Sequence, residues 1–229
     1  MQKTPGPPKP NGPKTIDLRK VSNNHSTPTP HKPSSIVVPK KPKNRRWLRR
    51  FLVLFFVVLF CTGLYILFIL LYPQLSKPSE KTIRAQAEVV VNEKNQLFIP
   101  SVGIRSEIKE GGIDILDQGV VWHRFPERGN PQKGGNFILT GHSFVWGYTP
   151  QEVTKQSVFY HLSEAKIGDE IIVHWDGTIY KYKVTGKETV KPDQTEVEKM
   201  SDKPRLTIYT CTTGGASDGR VVISAEPIK

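Results

Sequence analysis

The chain has 229 residues, room for one ordinary domain and additional segments. Its net charge of +12 raises nucleic acid or anionic membrane as partners, yet residues 1–50 carry all of it: 13 of the 33 Lys+Arg against one acid, Asp17. Residues 73–229, with 20 basic and 20 acidic side chains, are neutral, which argues against a nucleic-acid-binding domain, and the two cysteines, Cys61 and Cys211, exclude a disulfide framework.

Residues 1–44 are rich in Pro, Lys, Asn, Ser and Thr, and Pro5, Pro7, Pro8, Pro10 and Pro13 exclude a helix there. Such a segment buries too little apolar surface to offset its chain entropy, so residues 1–50 are read as a disordered basic tail. A solvated leader and an interaction tail both fit it.

Phe51 to Tyr72 is an uncharged run of 22 residues. As a helix it rises roughly 33 Å, enough to cross a bilayer. Trp47, Tyr65 and Tyr72 include two residues placed where interfacial aromatics belong, and Pro73 is expected to end the helix. The 15 residues before the run hold seven Lys/Arg and the 15 after it hold three, which predicts a cytoplasmic N-terminus and an outward-facing C-terminal part of 157 residues. A cleaved signal peptide is the competing reading, because Ala85-Gln86-Ala87 resembles a cleavage site. Against it stand the length of the apolar run and of the leader, and the position of the site 13 residues past the span.

Residues 73–87 read as a polar linker and residues 88–229 as the outer domain. Strands are expected at Leu97–Ile99, Ile104–Ile108, Gly119–Trp122, Asn136–Gly141, Glu170–Trp175, Ile179–Thr185, Arg205–Thr210 and Val221–Glu226. Asp176-Gly177 between two strand-like runs marks a hairpin. One helix is plausible at Thr154–Leu162. Short strands at this spacing predict a mainly β domain, a barrel or sandwich.

Leu206-Thr207-Ile208-Tyr209-Thr210-Cys211 is a strand that delivers a cysteine at its C-terminal end. A small, flexible loop, Thr212–Gly219, leads to Arg220, which opens the last strand. If the two strands pair, thiol and guanidinium emerge at one end of the sheet, where the cation could lower the thiol pKa or hold an oxyanion. Gly135–Gly141 is a further strand, and Gly141 before His142 allows a sharp turn or the close approach of a ligand. A thiol, a proton carrier and an oxyanion stabiliser are the groups cysteine acyl transfer needs. Each also has a plain reading: a core thiol, a loop histidine and a surface arginine.

These residues resemble the sortase family. The Cys211 strand looks like the Thr-Leu-x-Thr-Cys signature, Arg220 nine residues on matches the family's arginine, and Gly135-Asn136 followed by Gly141-His142 is similar to its histidine motif. Leu97–Ile104, Gly119–His123, Phe159–Leu162 with Ile167–Glu170, and Val190–Pro192 match in the family's order, so the resemblance covers about residues 95–228. It implies an eight-stranded sortase-type β-barrel with one or two short helices behind a single transmembrane helix. It further implies a transpeptidase on the bacterial cell membrane, with Cys211 as nucleophile, His142 as general acid then base, and Arg220 as oxyanion and substrate clamp. Thr210 would help position substrate. The implied donor is a surface protein or pilin with a Leu-Pro-x-Thr-Gly-like sorting signal, and the implied acceptor is an amine of a cell-wall precursor or a pilin lysine.

The chain departs from the family in places. Ile208 stands where Leu is usual, a volume-conserving change, and Thr212-Thr213 follow the cysteine where many members carry Pro nearby. The aromatic loop Ser143–Tyr148 is either local packing or a wall of the donor groove that would make Ser143 and Trp146 substrate-binding. No cofactor or metal is expected, since His123, His161 and His174 show no ligand spacing. Glu188, Asp193, Glu196 and Glu198 lie where some sortases bind calcium, and a solvated charged loop explains them equally well. Two other readings stand beside the transpeptidase: a cysteine peptidase with water as acceptor, and a membrane-anchored binding module whose Cys211 is structural. A third would make the basic tail a nucleic-acid or anionic-lipid binder.

Overall fold

The computed structural model describes residues 45–89 and 94–228. The reading of residues 1–50 as a disordered tail lies outside them except at its end: Arg45–Arg50 are not disordered but form the first turns of a helix. Helix α1 spans Arg45–Leu75, 31 residues, and is long and apolar enough to cross a membrane. It continues two residues past Pro73 rather than ending there. Pro73 is buried, and its carbonyl accepts a hydrogen bond from His161 Nε2 at 3.1 Å, so the last turn is held by the domain.

The stretch expected to be a polar linker carries a second helix, α2, at Glu80–Glu88. Ser79 caps it by accepting from the Thr82 amide at 3.2 Å. Ile83 and Ala87, four apart and therefore on one face, pack against Phe98 and Ile172. Burying Ile83 contributes about 1.5–3 kcal/mol. His174 Nε2 donates to the Ala87 carbonyl at 2.8 Å, which ties off the helix end.

The strands are β1 (Gln96–Ile99), β2 (Ile104–Lys109), β3 (Val121–His123), β4 (Gly129–Asn130), β5 (Gly134–Thr140), β6 (Glu170–Trp175), β7 (Thr178–Val190), β8 (Arg205–Thr212) and β9 (Gly215–Pro227). Their order is β3-β2-β1-β6-β7-β9-β8-β5, and β3 pairs with β5 to close the sheet into an eight-stranded barrel. The two-residue β4, not expected from the sequence, only flanks β5. Closure removes the free edges that an open sheet would expose. Leu97, Ile99, Val121, Phe137, Leu139, Ile171, Val173, Leu206, Ile208 and Ile223 point inward and fill the core. His123 is fully buried in this core between Phe137 and Trp175, donating to the Gly129 carbonyl at 3.0 Å and pairing with Glu110 at 2.8 Å.

The expected helix over Thr154–Leu162 is instead α3, Pro150–Gln156, followed by a separate short turn at Leu162–Glu164. Thr149 caps α3 and Pro150 occupies its first turn, which starts the helix earlier than apolar spacing suggested.

Candidate active site

The site sits at the end of three adjacent strands. Strands β5 and β8 run parallel with Thr140 opposite Tyr209, so the next two steps bring His142 level with Cys211. Strands β8 and β9 are antiparallel, and Cys211 pairs directly with Arg220. Directly opposed residues project to the same face, so thiol and guanidinium share one side of the sheet. That side is the outer one: Leu206 and Ile208 face the core, while Thr207, Tyr209 and Cys211 face out.

The loop expected over Thr212–Gly219 is largely a hairpin. Thr212 pairs with Gly215 across a two-residue turn, and the register slips between Cys211 and Thr212, leaving Ala216–Gly219 as a bulge in β9. The Arg220 guanidinium donates to the carbonyls of Ala216 at 2.7 Å and Gly219 at 3.0 Å. The bulge thus holds the guanidinium on its own carbonyls, and Arg220, paired with Cys211 through the backbone, does not itself line the cavity that opens beside Cys211.

Gly141 is buried, and a Cβ there would meet Val158 Cγ2 at 2.7 Å and the Phe159 ring at 2.9 Å. This glycine is needed so that the chain itself can pack closely. Thr210 is 3% exposed and its hydroxyl donates to the Gly141 carbonyl at 2.7 Å, locking the histidine strand to the cysteine strand. Phe159 N–H donates to the His142 carbonyl at 2.9 Å. The half-exposed His142 side chain has one nearby charge, Asp117, 4.0 Å from Nε2 and 87% exposed.

A cavity of about 490 Å³ opens at this end of the barrel, lined by His142, Ser143, Phe144, Thr210 and Cys211, with Gln74 of α1 at its border. Of the residues expected to bind substrate, Thr210 and Ser143 line it. Trp146 does not; it is 63% exposed and rests edge-on against Phe144 at 5.5 Å. Tyr160, Ser163 and Glu164 complete the wall, and only the tertiary contacts reveal their part, as they do that of Asp117. A larger groove of about 1200 Å³ runs between α2 and β2, and neither Cys211 nor His142 borders it.

The outer face of β5, β8 and β9 below Cys211 is apolar, formed by Ile138, Tyr209 and Val222 and covered by Phe125, Val190 and Val197. Glu198, one of the acids weighed for calcium, is 7% exposed and accepts from Tyr209 at 2.6 Å and Arg124 at 2.8 Å. Burial, together with the Glu198 hydrogen bond, pushes the Tyr209 phenol well above its ordinary range. Among the described residues no group of three His, Cys, Asp or Glu side chains converges as metal ligands do.

Comparison with known proteins points one way. Sortase A of Bacillus anthracis is 30% identical over 92 residues, 40% of this chain and 40% of that protein. The putative sortase YwpE of Bacillus subtilis (strain 168) is 27% identical over 92 residues, 40% of this chain and 82% of that one. The match thus spans less than half of the Bacillus anthracis relative. Among solved structures, the Clostridium perfringens Sortase D5 transpeptidase aligns with a TM-score of 0.50 at 25% identity, covering 66% of this chain and 90% of that one. Sortase C-1 of Actinomyces oris shares the fold, with a TM-score of 0.50 at 23% identity over 69% of this chain and 85% of that one. The Sortase domain family profile matches residues 97–228, more than half of the sequence and all of the barrel but Gln96, and the chain belongs to the sortase family.

Proposed function

We propose that this protein is a cysteine transpeptidase that cleaves a Leu-Pro-x-Thr-Gly-like sorting signal and transfers the acyl part to an amine. The observation that carries the reading is the strand register that pairs Cys211 with Arg220 and brings His142 level with Cys211, with Cys211 and His142 lining one cavity. The Clostridium perfringens relative is itself described as a transpeptidase.

In this mechanism the Cys211 thiolate attacks the Thr–Gly carbonyl. Negative charge builds on the carbonyl oxygen, and Arg220, turning from the Ala216 carbonyl, stabilises it. The C–N bond then breaks as His142 gives its proton to the departing amine, leaving a thioester on Cys211. An incoming amine attacks the thioester, His142 takes its proton, and the thiolate leaves. Ser143 and Thr210 border the acyl group. The donor is a surface protein or pilin bearing the signal, and the acceptor an amine of a cell-wall precursor or a pilin lysine. Helix α1 anchors the enzyme in the bacterial membrane, with the N-terminus in the cytoplasm and the barrel outside.

The test uses the full-length protein in detergent with a quenched library of Leu-Pro-x-Thr-Gly peptides, with and without amine acceptors, read by mass spectrometry. A thioester adduct on Cys211 that is lost in Cys211→Ala, with product carrying the added amine, is expected. An adduct that only hydrolyses with every amine tried would replace the transpeptidase by a peptidase. An unreactive thiol and no adduct would favour a binding module.

A further inference from the structure

The loop after His142 exposes two aromatic rings, Trp146 at 63% and Tyr148 at 90%. It has a defined neighbour: Tyr65, inside the apolar run of α1, donates its hydroxyl to the Tyr148 carbonyl at 2.9 Å. Ile69 and Pro73, four and eight residues further on, are buried. Tyr65, Ile69 and Pro73 therefore lie on one face of α1 turned toward the domain.

The length of α1 sets the depth of this contact. Phe51 to Leu64 rises only about 21 Å, short of the ~30 Å hydrocarbon core, whereas Phe51 to Tyr72 rises about 33 Å. A spanning α1 must therefore keep Tyr65 to Tyr72 within the bilayer, with Tyr65 about 10 Å below the outer end of the run. The loop bonded to Tyr65 is drawn down with it.

The loop is suited to that place. Trp and Tyr favour the membrane–water boundary, where one end of the ring system is apolar and the other wet. A loop drawn toward the hydrocarbon is favoured when its backbone groups are bonded within the protein. Here the Val145 amide donates to Ser157 Oγ at 2.9 Å, the Tyr148 amide to Glu152 Oε2 at 3.0 Å, and the Tyr148 carbonyl accepts from Tyr65.

We propose that the Phe144–Thr149 loop is a second membrane contact that seats Trp146 and Tyr148 in the outer leaflet of the bilayer, on the membrane side of its interfacial layer; this rests on the reading of α1 as the anchor. Trp146 lies four residues from His142, and Gln74, at the outer end of α1, borders the Cys211 cavity. The contact therefore holds the cavity at headgroup height, where it meets substrates presented on the membrane surface.

The test is tryptophan quenching in the full-length protein, reconstituted into phosphatidylglycerol–phosphatidylethanolamine vesicles with bromine on the acyl chains near the headgroup. Trp47→Phe leaves Trp146 with Trp122 and Trp175, which are half-buried and buried in the barrel. Bromolipid is expected to quench the share of emission contributed by one tryptophan of these three, and that share should vanish in Trp47→Phe/Trp146→Phe. The Trp146→Phe protein keeps Trp47 as a reporter of the anchor. Equal quenching in the Trp47→Phe and double variants, with Trp47 still quenched, would overturn the loop contact and leave the anchor standing. An unquenched Trp47 would overturn both.

Discussion

Asn136 tests the account of how the outer face is held together. It is fully buried and makes three hydrogen bonds: its amide donates to the carbonyls of Val197 at 3.0 Å and Lys199 at 2.8 Å, and its carbonyl accepts from Thr207 at 2.7 Å. It thus pins the segment that carries Glu198 against β5 and β8. Asn136→Leu keeps the number and branching of side-chain heavy atoms but removes all three bonds. Three partners are left without Asn136, at a cost of about 1 kcal/mol or more each, so the loss is at least roughly 3 kcal/mol. For a domain of this size that lowers the melting temperature by about 10 °C. The assay is thermal unfolding of the purified protein in detergent, followed by near-ultraviolet circular dichroism. Thr207→Val removes one of the same bonds, so the double variant should cost less than the sum of the two single ones. A Leu variant that melts within about 1 °C of the native protein, or strict additivity with Thr207→Val, would refute the network.

Gly141→Ala should force the Cβ against Val158 and Phe159, destabilising by about 1–3 kcal/mol and lowering turnover more than substrate affinity, read from melting and from kcat and KM separately. Thr210→Val keeps the shape but leaves the Gly141 carbonyl without its partner, so a loss of about 1–3 kcal/mol is expected together with slower acylation in single-turnover measurements. At Glu164, burial pushes the carboxyl up, but hydrogen bonds from Lys77 and His161 outweigh it and hold the group below its ordinary value of 4.5. A folded value below the unfolded one means this contact stabilises fully above pH 4.5 and is lost as pH falls through the lower folded value. The melting difference between native protein and Glu164→Gln should therefore be steady down to that pH and shrink below it; a difference that grows in acid would contradict the sign.

Local pattern alone settled much of this protein. Inward-facing alternation and the Asp176-Gly177 turn placed all eight barrel strands within a residue or two at one end or both, because a half-buried strand must alternate and a tight hairpin needs residues that tolerate positive φ. The three candidate side chains, Cys211, His142 and Arg220, stood out in the sequence because each follows or opens an apolar strand. Helix α2 was missed although Ser79 and the Ile83–Ala87 spacing announce it: a short polar segment gains stability only from the sheet it covers. The role of Gly141 was read as a turn or a ligand approach, and Phe159, which explains it, lies on a distant loop. Barrel closure through the β3–β5 pairing, the Cys211–Arg220 register and the bulge at Ala216–Gly219 depend on which strands become neighbours. That choice is made by burying all the apolar faces in one core, a condition on the whole chain that no single stretch of sequence contains.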